Sequence, residues 1–156
     1  MQRTSSPLFA LCVASVSAGD RVVDLRDVQL SFRDVLALAA ALRANPSKVE
    51  MISLRGCGIG TYGIAVLVDV LHLCTNLSIL CLNDNNVGDA GAVVLAEADF
   101  HIDVDLAKNG ITDVGERALS FATNTRVCDR DEWDVREEIN GGKGGKGVSD
   151  GRMLTK

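Results

Sequence analysis

The chain has 156 residues and a formal net charge of −5 at pH 7; 47% of its residues are hydrophobic and 24% are charged. This length and composition are typical of one globular domain of roughly 100–200 residues, and they exclude a chain that is disordered throughout. The acidic balance repels a phosphate backbone, so no nucleic acid partner is expected. The longest apolar run, residues 8–16, is shorter than the roughly 20 residues of a membrane-spanning helix, so no membrane partner is expected either.

The N-terminal segment, residues 1–21, allows two interpretations. An apolar stretch followed by Val16-Ser17-Ala18 before Gly19 is similar to a short signal peptide with its cleavage site, which would imply secretion. Alternatively, Ser5 or Ser6 as an N-cap and Pro7 in the first turn predict a helix over residues 7–18. We favour the helix, which would cap the rest of the fold or form the second half of a preceding repeat.

Cysteine and histidine spacing indicates no catalytic or metal site. The chain has five cysteines, an odd number, and no two of them form a CxxC pair. This usage is typical of free thiols in a reducing compartment and favours a cytoplasmic location over secretion. His72 and His101 have no carboxylate or cysteine placed by pattern to orient them. We therefore expect no enzyme activity, cofactor, metal ion or small-molecule substrate.

An internal repeat dominates the sequence. Leu25, Leu54, Leu82 and Leu106 are separated by 29, 28 and 24 residues, and the positions two before, five after and thirteen after each of these leucines are apolar in all four units. With the four leucines included, all sixteen positions are apolar. The chance probability of this agreement is roughly one in 10⁵ at this composition, which is strong evidence for a repeat. The repeats cover residues 22–127, with units at about 22–48, 49–76, 77–100 and 101–127.

Each unit predicts a short strand, a turn and a helix. Apolar residues alternate with their neighbours before each anchor leucine, which indicates a strand, and recur every four residues later in the unit, which indicates one face of a helix. Three residues after the anchors stand Val28, Cys57, Asn85 and Asn109. An inward asparagine bonds backbone groups of the adjacent unit and a cysteine does so weakly. Valine cannot, so we place the first unit at the edge of the array.

These residues resemble the leucine-rich repeats of the ribonuclease-inhibitor type, with the consensus LxxLxLxxNxLxxxGxxxLxxxL. The best matches are MISLRGCGIGTYGIAVLVDVL and SILCLNDNNVGDAGAVVLAEA. The resemblance implies an α/β fold: a right-handed solenoid with parallel strands on its concave side and helices on its convex side. The short third interval predicts that the third helix ends near Ala98 and that Phe100 or His101 fills the vacated core position.

A rival motif lies inside the second repeat. Gly58, Gly60 and Gly63 form GxGxxG between a predicted strand and helix, and Asp84 follows twenty-one residues later, as in dinucleotide-binding folds. However, Ile59 lies in a column that is apolar in every unit, and four equal units do not make a dinucleotide fold. We prefer the repeat interpretation.

The side chains that flank the inward strand residues are predicted to lie on the concave face, where solenoid proteins bind partners. As partner-binding candidates we take Asp24, Arg26, Met51, Ser53, Arg55, Ile79, Cys81, Asn83, Asp103 and Asp105. The leading hypothesis is a non-enzymatic protein-binding module that serves as a scaffold or complex subunit. The alternatives are a regulator, such as a GTPase activator or nuclease inhibitor, which the resemblance suggests, and a solvated face with no partner.

The C-terminal segment, residues 128–156, lies outside the repeat pattern. Residues 129–139 predict a short helix whose Trp133 and Ile139 cover the last unit. Residues 141–151 contain six glycines and two lysines. Such a composition does not offset its ordering entropy, so a flexible tail is expected there.

Overall fold

The computed structural model describes residues 6–98 and 100–122, and the backbone of a strand at 126–128. The helix and tail predicted for residues 129–156 lie outside this part of the chain. The elements in chain order are α1 (Pro7–Ala18), β1 (Val22–Asp24), α2 (Phe32–Ala44), a 3₁₀ turn (Pro46–Lys48), β2 (Met51–Ser53), α3 (Gly60–Leu71), β3 (Ile79–Cys81), α4 (Gly88–Ala98), β4 (Asp103–Asp105), α5 (Asp113–Ser120) and β5 (Arg126–Cys128). No helix of the described part is long and apolar enough to cross a bilayer.

The strands form one parallel sheet in the order β1-β2-β3-β4-β5. Val23 pairs with Ile52, Ile52 with Leu80, and Leu80 with Val104, which is the register predicted from the repeat spacing. Consecutive helices pack on one another along the array. The predicted α/β solenoid of parallel strands and helices is confirmed.

The core lies between the sheet and the helices. All four anchor leucines are buried, with exposed fractions of 2% for Leu25, 0% for Leu54 and Leu82, and 5% for Leu106. The helix leucines thirteen residues later join the same apolar cluster. One repeat alone would leave both sets in water, so adjacent units stabilise each other by sharing this core.

Local sequence explains where the helices begin and end. α2 starts with a capping box, in which Asp34 N donates to Ser31 Oγ (3.3 Å) and Ser31 N donates to the Asp34 carboxylate (2.9 Å). α1 has Ser6 as its N-cap residue and Pro7 in its first turn, and it ends at Gly19, whose φ of 97° is a left-handed conformation that glycine adopts at little cost. Phe9 is buried where α1 packs against α2.

The short third interval acts as expected. α4 ends at Ala98, and Phe100 is buried in the core with its ring centroid 4.7 Å from that of His72. His101 is exposed and does not fill the position. Phe100 therefore replaces the missing helical turn with one large side chain.

A fifth strand was not predicted. β5 pairs with β4, and Val127 lies opposite Val104. Its sequence, Arg126-Val127-Cys128, is followed by Asp129 where the other units have a leucine. The backbone of β4 offers hydrogen-bonding groups at its edge, and pairing with them stabilises a strand without the full repeat pattern.

Asp89 links α4 to the start of α5. Its carboxylate accepts hydrogen bonds from Thr112 N (2.7 Å), Thr112 Oγ1 (2.7 Å) and Gly115 N (3.2 Å). These bonds favour the charged form and lower the pKa of Asp89 from its ordinary value of 3.8. The carboxylate therefore holds the N-terminus of α5 on the neighbouring unit.

Replacing Asp89 with asparagine is expected to lower the urea midpoint at pH 7. Because the folded state lowers this pKa, the stabilisation is fully present above the unfolded value and is lost as pH falls through the folded value, below about 4. The variant should therefore lose less stability than the wild type on acidification. Urea titrations at pH 7 and pH 3 check both effects, with the exposed Asp69→Asn on α3 as the control. Equal acid dependence in Asp89→Asn and the wild type would contradict this role.

Candidate functional site

The sheet has a face turned away from the helices, which we call the strand face. It comprises the side chains that alternate with the inward strand residues. Met51, Ile79 and Cys81 form an apolar cluster there, with Val22 packed against it, separate from the main core that contains Ile52 and Leu80. The structure thus brings these predicted binding residues together on the side of the sheet opposite the helices.

The exposure of this face differs from the prediction. Six of the ten predicted residues are less than a tenth exposed: Met51 4%, Ser53 1%, Ile79 9%, Cys81 3%, Asn83 7% and Asp105 1%. Asp24 is exposed, and Arg26, Arg55 and Asp103 are half-buried. Parallel strands lie about 4.8 Å apart, so each side chain is shielded by its neighbours on both sides, which accounts for part of the difference. That these ten residues bind a partner stays a prediction.

Charge is unevenly distributed across the strand face. Arg26 is held by Asp24 in a two-point ion pair, with Nε to Oδ1 and Nη2 to Oδ2 both at 2.9 Å. Arg55 continues the same row on the neighbouring strand and has no carboxylate partner among the described side chains. Asp103 and Asp105 lie on β4, at the other end. The Asp24–Arg26 pair reduces the positive charge that the sequence suggests at the β1 end, so Arg55 contributes most of it.

A ladder of asparagines fixes the strands that carry this face. Asn85 Oδ1 accepts from Cys57 N (3.1 Å) and Ile59 N (3.2 Å), and its amide donates to Leu54 O (2.7 Å) and Leu82 O (2.9 Å). Asn109 repeats this pattern one unit later. The predicted inward asparagine column is confirmed, and it ties three consecutive units together.

Cys57 occupies the same column in the second unit. Its Sγ donates to Leu25 O at 3.0 Å, the weak version of the asparagine bond that the sequence predicts. Burial raises the pKa of this thiol to about 12, so it stays protonated and unreactive at neutral pH. Val28 makes no such bond in the first unit, as expected at the edge of the array.

A column of left-handed residues was missed by sequence reasoning. Two residues after the anchors, Asp27, Gly56, Asp84 and Lys108 have φ of 60°, 65°, 60° and 56°. They turn the chain away from the sheet at the same point in every unit. Glycine and aspartate are known to tolerate this conformation, but lysine gives no such signal. The column is visible only once the units are superimposed.

The backbone amides of the GxGxxG loop form hydrogen bonds to the neighbouring repeat. Ile59 N donates to Asn85 Oδ1 and Gly60 N donates to Asn85 O (2.9 Å), so these amides do not face a ligand. Ile59 is buried, and a side chain on Gly63 would collide with it, since a Cβ there would lie 2.4 Å from Ile59 Cγ2. Gly63 thus serves close packing against Ile59 of its own unit, and Gly58 and Gly60 supply left-handed turns with φ of 70° and 62°. The consecutive strand order also lacks the reversal at which dinucleotides bind.

Within residues 6–98 and 100–122 no three histidine, cysteine or acidic side chains are grouped closely enough to hold a metal ion. Burial raises the pKa of Cys12 and Cys74 as well as that of Cys57. Thiols with raised pKa values are poor nucleophiles and poor metal ligands.

Comparisons with known proteins agree with this architecture. Residues 73–96 match the family model described as leucine-rich repeat. Mouse (Mus musculus) ribonuclease inhibitor is 33% identical over 75 residues, which are 48% of this chain and 16% of the inhibitor. A solved structure titled leiomodin-1 actin-binding site 2 superposes with a TM-score of 0.64 at 13% identity, covering 80% of this chain and 81% of that one.

The chain thus spans about one sixth of the length of the inhibitor that it matches. The matched repeat contains β3 and most of α4, the unit that also carries Asn85. Sequence match, sheet register and asparagine ladder point to the same repeat type. The chain thus has the solenoid fold, and its repeats are similar to the leucine-rich repeats of the ribonuclease inhibitor.

Proposed function

We propose that the chain is a non-enzymatic protein-binding module whose partner lies against the strand face. The observation that carries the proposal is the combination on that face of an apolar cluster, Met51, Ile79 and Cys81, with the guanidinium of Arg55. Apolar centres flanked by arginine are typical of the residues that contribute most to binding. The proposed role is that of a scaffold or complex subunit.

Rigidity supports this proposal. The strands are paired in one register, and the ladder asparagines bond each unit to the next. A surface that is ordered before binding loses little conformational entropy when a partner arrives. A short array of this kind therefore suits recognition better than chemistry that needs mobile groups.

The location that we propose is the cytoplasm. Cys12, Cys57 and Cys74 are free thiols, and Cys57 and Cys74 are buried. Reduced thiols are usual in the cytoplasm and rare in small secreted domains, which are commonly disulfide-linked.

Reversing the charges of Arg26 and Arg55 together is expected to reduce recovery of the partner about tenfold or more in affinity capture from the source cell, because charge pairs at an interface govern both association and specificity. The matched control is Arg33→Glu with Arg43→Glu, which makes the same charge change on exposed positions of α2. Thermal melts establish that both double variants are folded. Equal capture by the two variants would place the interface elsewhere.

A second candidate is a regulator of enzyme activity, specifically a nuclease inhibitor. Its support is the 33% identity to a protein named as a ribonuclease inhibitor. Titrating a ribonuclease with the chain tests it: inhibition that the Arg26→Glu, Arg55→Glu variant abolishes would assign this activity, and unchanged turnover would reject it. The other regulator that the resemblance suggests is a GTPase activator, and no residue of this chain supports that activity specifically. Measuring GTPase turnover with and without the chain tests this role.

A further inference from the structure

The outer edge of β1 is the unpaired edge of the sheet at its N-terminal end. β1 pairs with β2 on one side, and no strand of the part that the structure describes pairs with it on the other. In each of the four units a strand precedes its helix, whereas α1 packs on α2 with no described strand before it. α1 and the edge of β1 therefore bound a strand position that no described residue takes.

The backbone at this edge repeats a hydrogen-bonding pattern seen inside the array. Ser53 O accepts from Leu25 N (2.9 Å), and Cys57 O accepts from another amide of the first unit (3.0 Å), so each unit offers carbonyl acceptors to the unit before it. The equivalent carbonyls of the first unit are Asp24 O and Val28 O, and within the described residues no N–H donates to them. Carbonyls along an unpaired edge are a template for a further strand.

The apolar side chains behind this edge are less covered than their equivalents in later units. Val13 on α1 corresponds to Leu42 on α2, twelve residues before the next anchor leucine, yet Val13 is half-buried whereas Leu42 is 0% exposed. Val28 is also half-buried, although Cys57 and Asn85 in the same column are both 0% exposed. A strand in front of α1 would cover both valines, and burying them would favour its binding.

A cleft of about 370 Å³ lies along the same edge, between Leu8 of α1 and Leu25 of the first unit. Its charged lining is balanced, with two aspartates and two arginines, and Asp24 is paired with Arg26. α1 adds no charge, since none of its twelve residues is acidic or basic. The cleft therefore favours an uncharged segment over a strongly acidic or basic one.

We propose that this edge binds an extended, uncharged segment of a partner protein, which pairs in parallel with β1 in front of α1. Backbone N–H groups of the segment donate to Asp24 O and Val28 O, and its alternate apolar side chains pack against Val13, Val28 and Leu8. Such strand addition gains affinity from main-chain hydrogen bonds and specificity from alternate side chains. The inference goes beyond the proposed function, because the site is the edge of the sheet and not the strand face.

The probe is a synthetic peptide with the sequence of residues 77–87, acetylated, amidated and carrying Cys81→Ser and Asp84→Gly, which remove its thiol and its charge. The strand of the third unit already has the required spacing of inward leucines and backbone donors. The control peptide is N-methylated at the residue equivalent to Leu82. This change removes the N–H that would donate to Asp24 O and keeps every side chain.

The readout is alkylation of Cys12 by iodoacetamide in the full chain, followed by mass spectrometry. Burial raises the pKa of the Cys12 thiol and the Asp24 amide partly offsets this, so Cys12 lies beside the edge. A saturating concentration of the peptide is expected to slow labelling of Cys12 about tenfold, because a bound strand leaves the thiol accessible only through local opening. Labelling of the buried Cys57 and Cys74 should not change. The N-methylated peptide should bind about tenfold more weakly, since it leaves a buried carbonyl without a donor.

Leu8→Asp is expected to weaken binding of the peptide about tenfold, because the strand would desolvate the new carboxylate. Leu8 is 65% exposed, so the variant should fold, and a thermal melt checks this. The matched control is Leu36→Asp on α2, at a position 46% exposed, which should leave binding unchanged. Unchanged Cys12 labelling at about 1 mM peptide, equal binding of the two peptides, or equal effects of the two variants would overturn the proposal. Protection of Cys12 that rises with protein concentration without peptide would overturn it too, since a second copy would then take the edge.

Discussion

Replacing Asn85 with alanine is expected to lower the free energy of unfolding by about 3–5 kcal/mol, because each buried backbone group left without a partner costs about 1–3 kcal/mol and several are affected. Asn85 is 0% exposed. The change removes the acceptor for Cys57 N and Ile59 N and the donor to Leu54 O and Leu82 O. Partial rearrangement keeps the total below the sum of the separate costs.

Urea unfolding followed by circular dichroism measures this effect. The matched control is Asn76→Ala, an exposed asparagine whose amide makes one hydrogen bond, to Ser47 O. It should cost less than about 1 kcal/mol, the usual net value of one hydrogen bond. Similar losses in the two variants would show that the ladder does not hold the repeats together. Asn85→Asp should also destabilise, because a carboxylate accepts the two amide bonds but cannot donate to the carbonyls.

The fold was predictable from the sequence because its core positions accept only one class of side chain. Val23, Ile52, Leu80 and Val104 lie between sheet neighbours and the helix layer, so only apolar side chains fit, and their spacing reveals the register. β5 escaped prediction because its pairing depends on the backbone of β4 rather than on its own side chains. Lys108 escaped for a related reason: its left-handed conformation is imposed by the repeat and not by its residue type.

The site was predictable in position but not in exposure. Alternation along a strand determines which side chains face away from the helices, and the structure places Met51, Ile79 and Cys81 there together. Burial depends on how closely the side chains of neighbouring strands shield one another, and a two-residue period contains no information about that. The Asp24–Arg26 ion pair also could not be predicted, because it depends on side-chain rotamers. It determines how much positive charge the strand face presents.

Replacing Leu54 with alanine is expected to cost about 3–5 kcal/mol, the upper part of the range for removing a fully buried leucine from a core that collapses only in part. Leu54 is 0% exposed and belongs to a middle unit, so the cavity would be enclosed on both sides. Leu106, 5% exposed and nearer the end of the array, should cost less when replaced in the same way. Leu36→Ala, at a helix position that is 46% exposed, is the control and should cost well under about 1 kcal/mol.

Urea midpoints of the three leucine variants check this order. In a solenoid each unit is stabilised by its two neighbours, so a cavity in the second unit weakens the interfaces on both sides. A broadened or two-step transition for Leu54→Ala, with a single step for Leu106→Ala, would indicate that the middle unit couples the two ends of the array. Equal losses for Leu54→Ala and Leu36→Ala would contradict the placement of the anchor leucines in one continuous core.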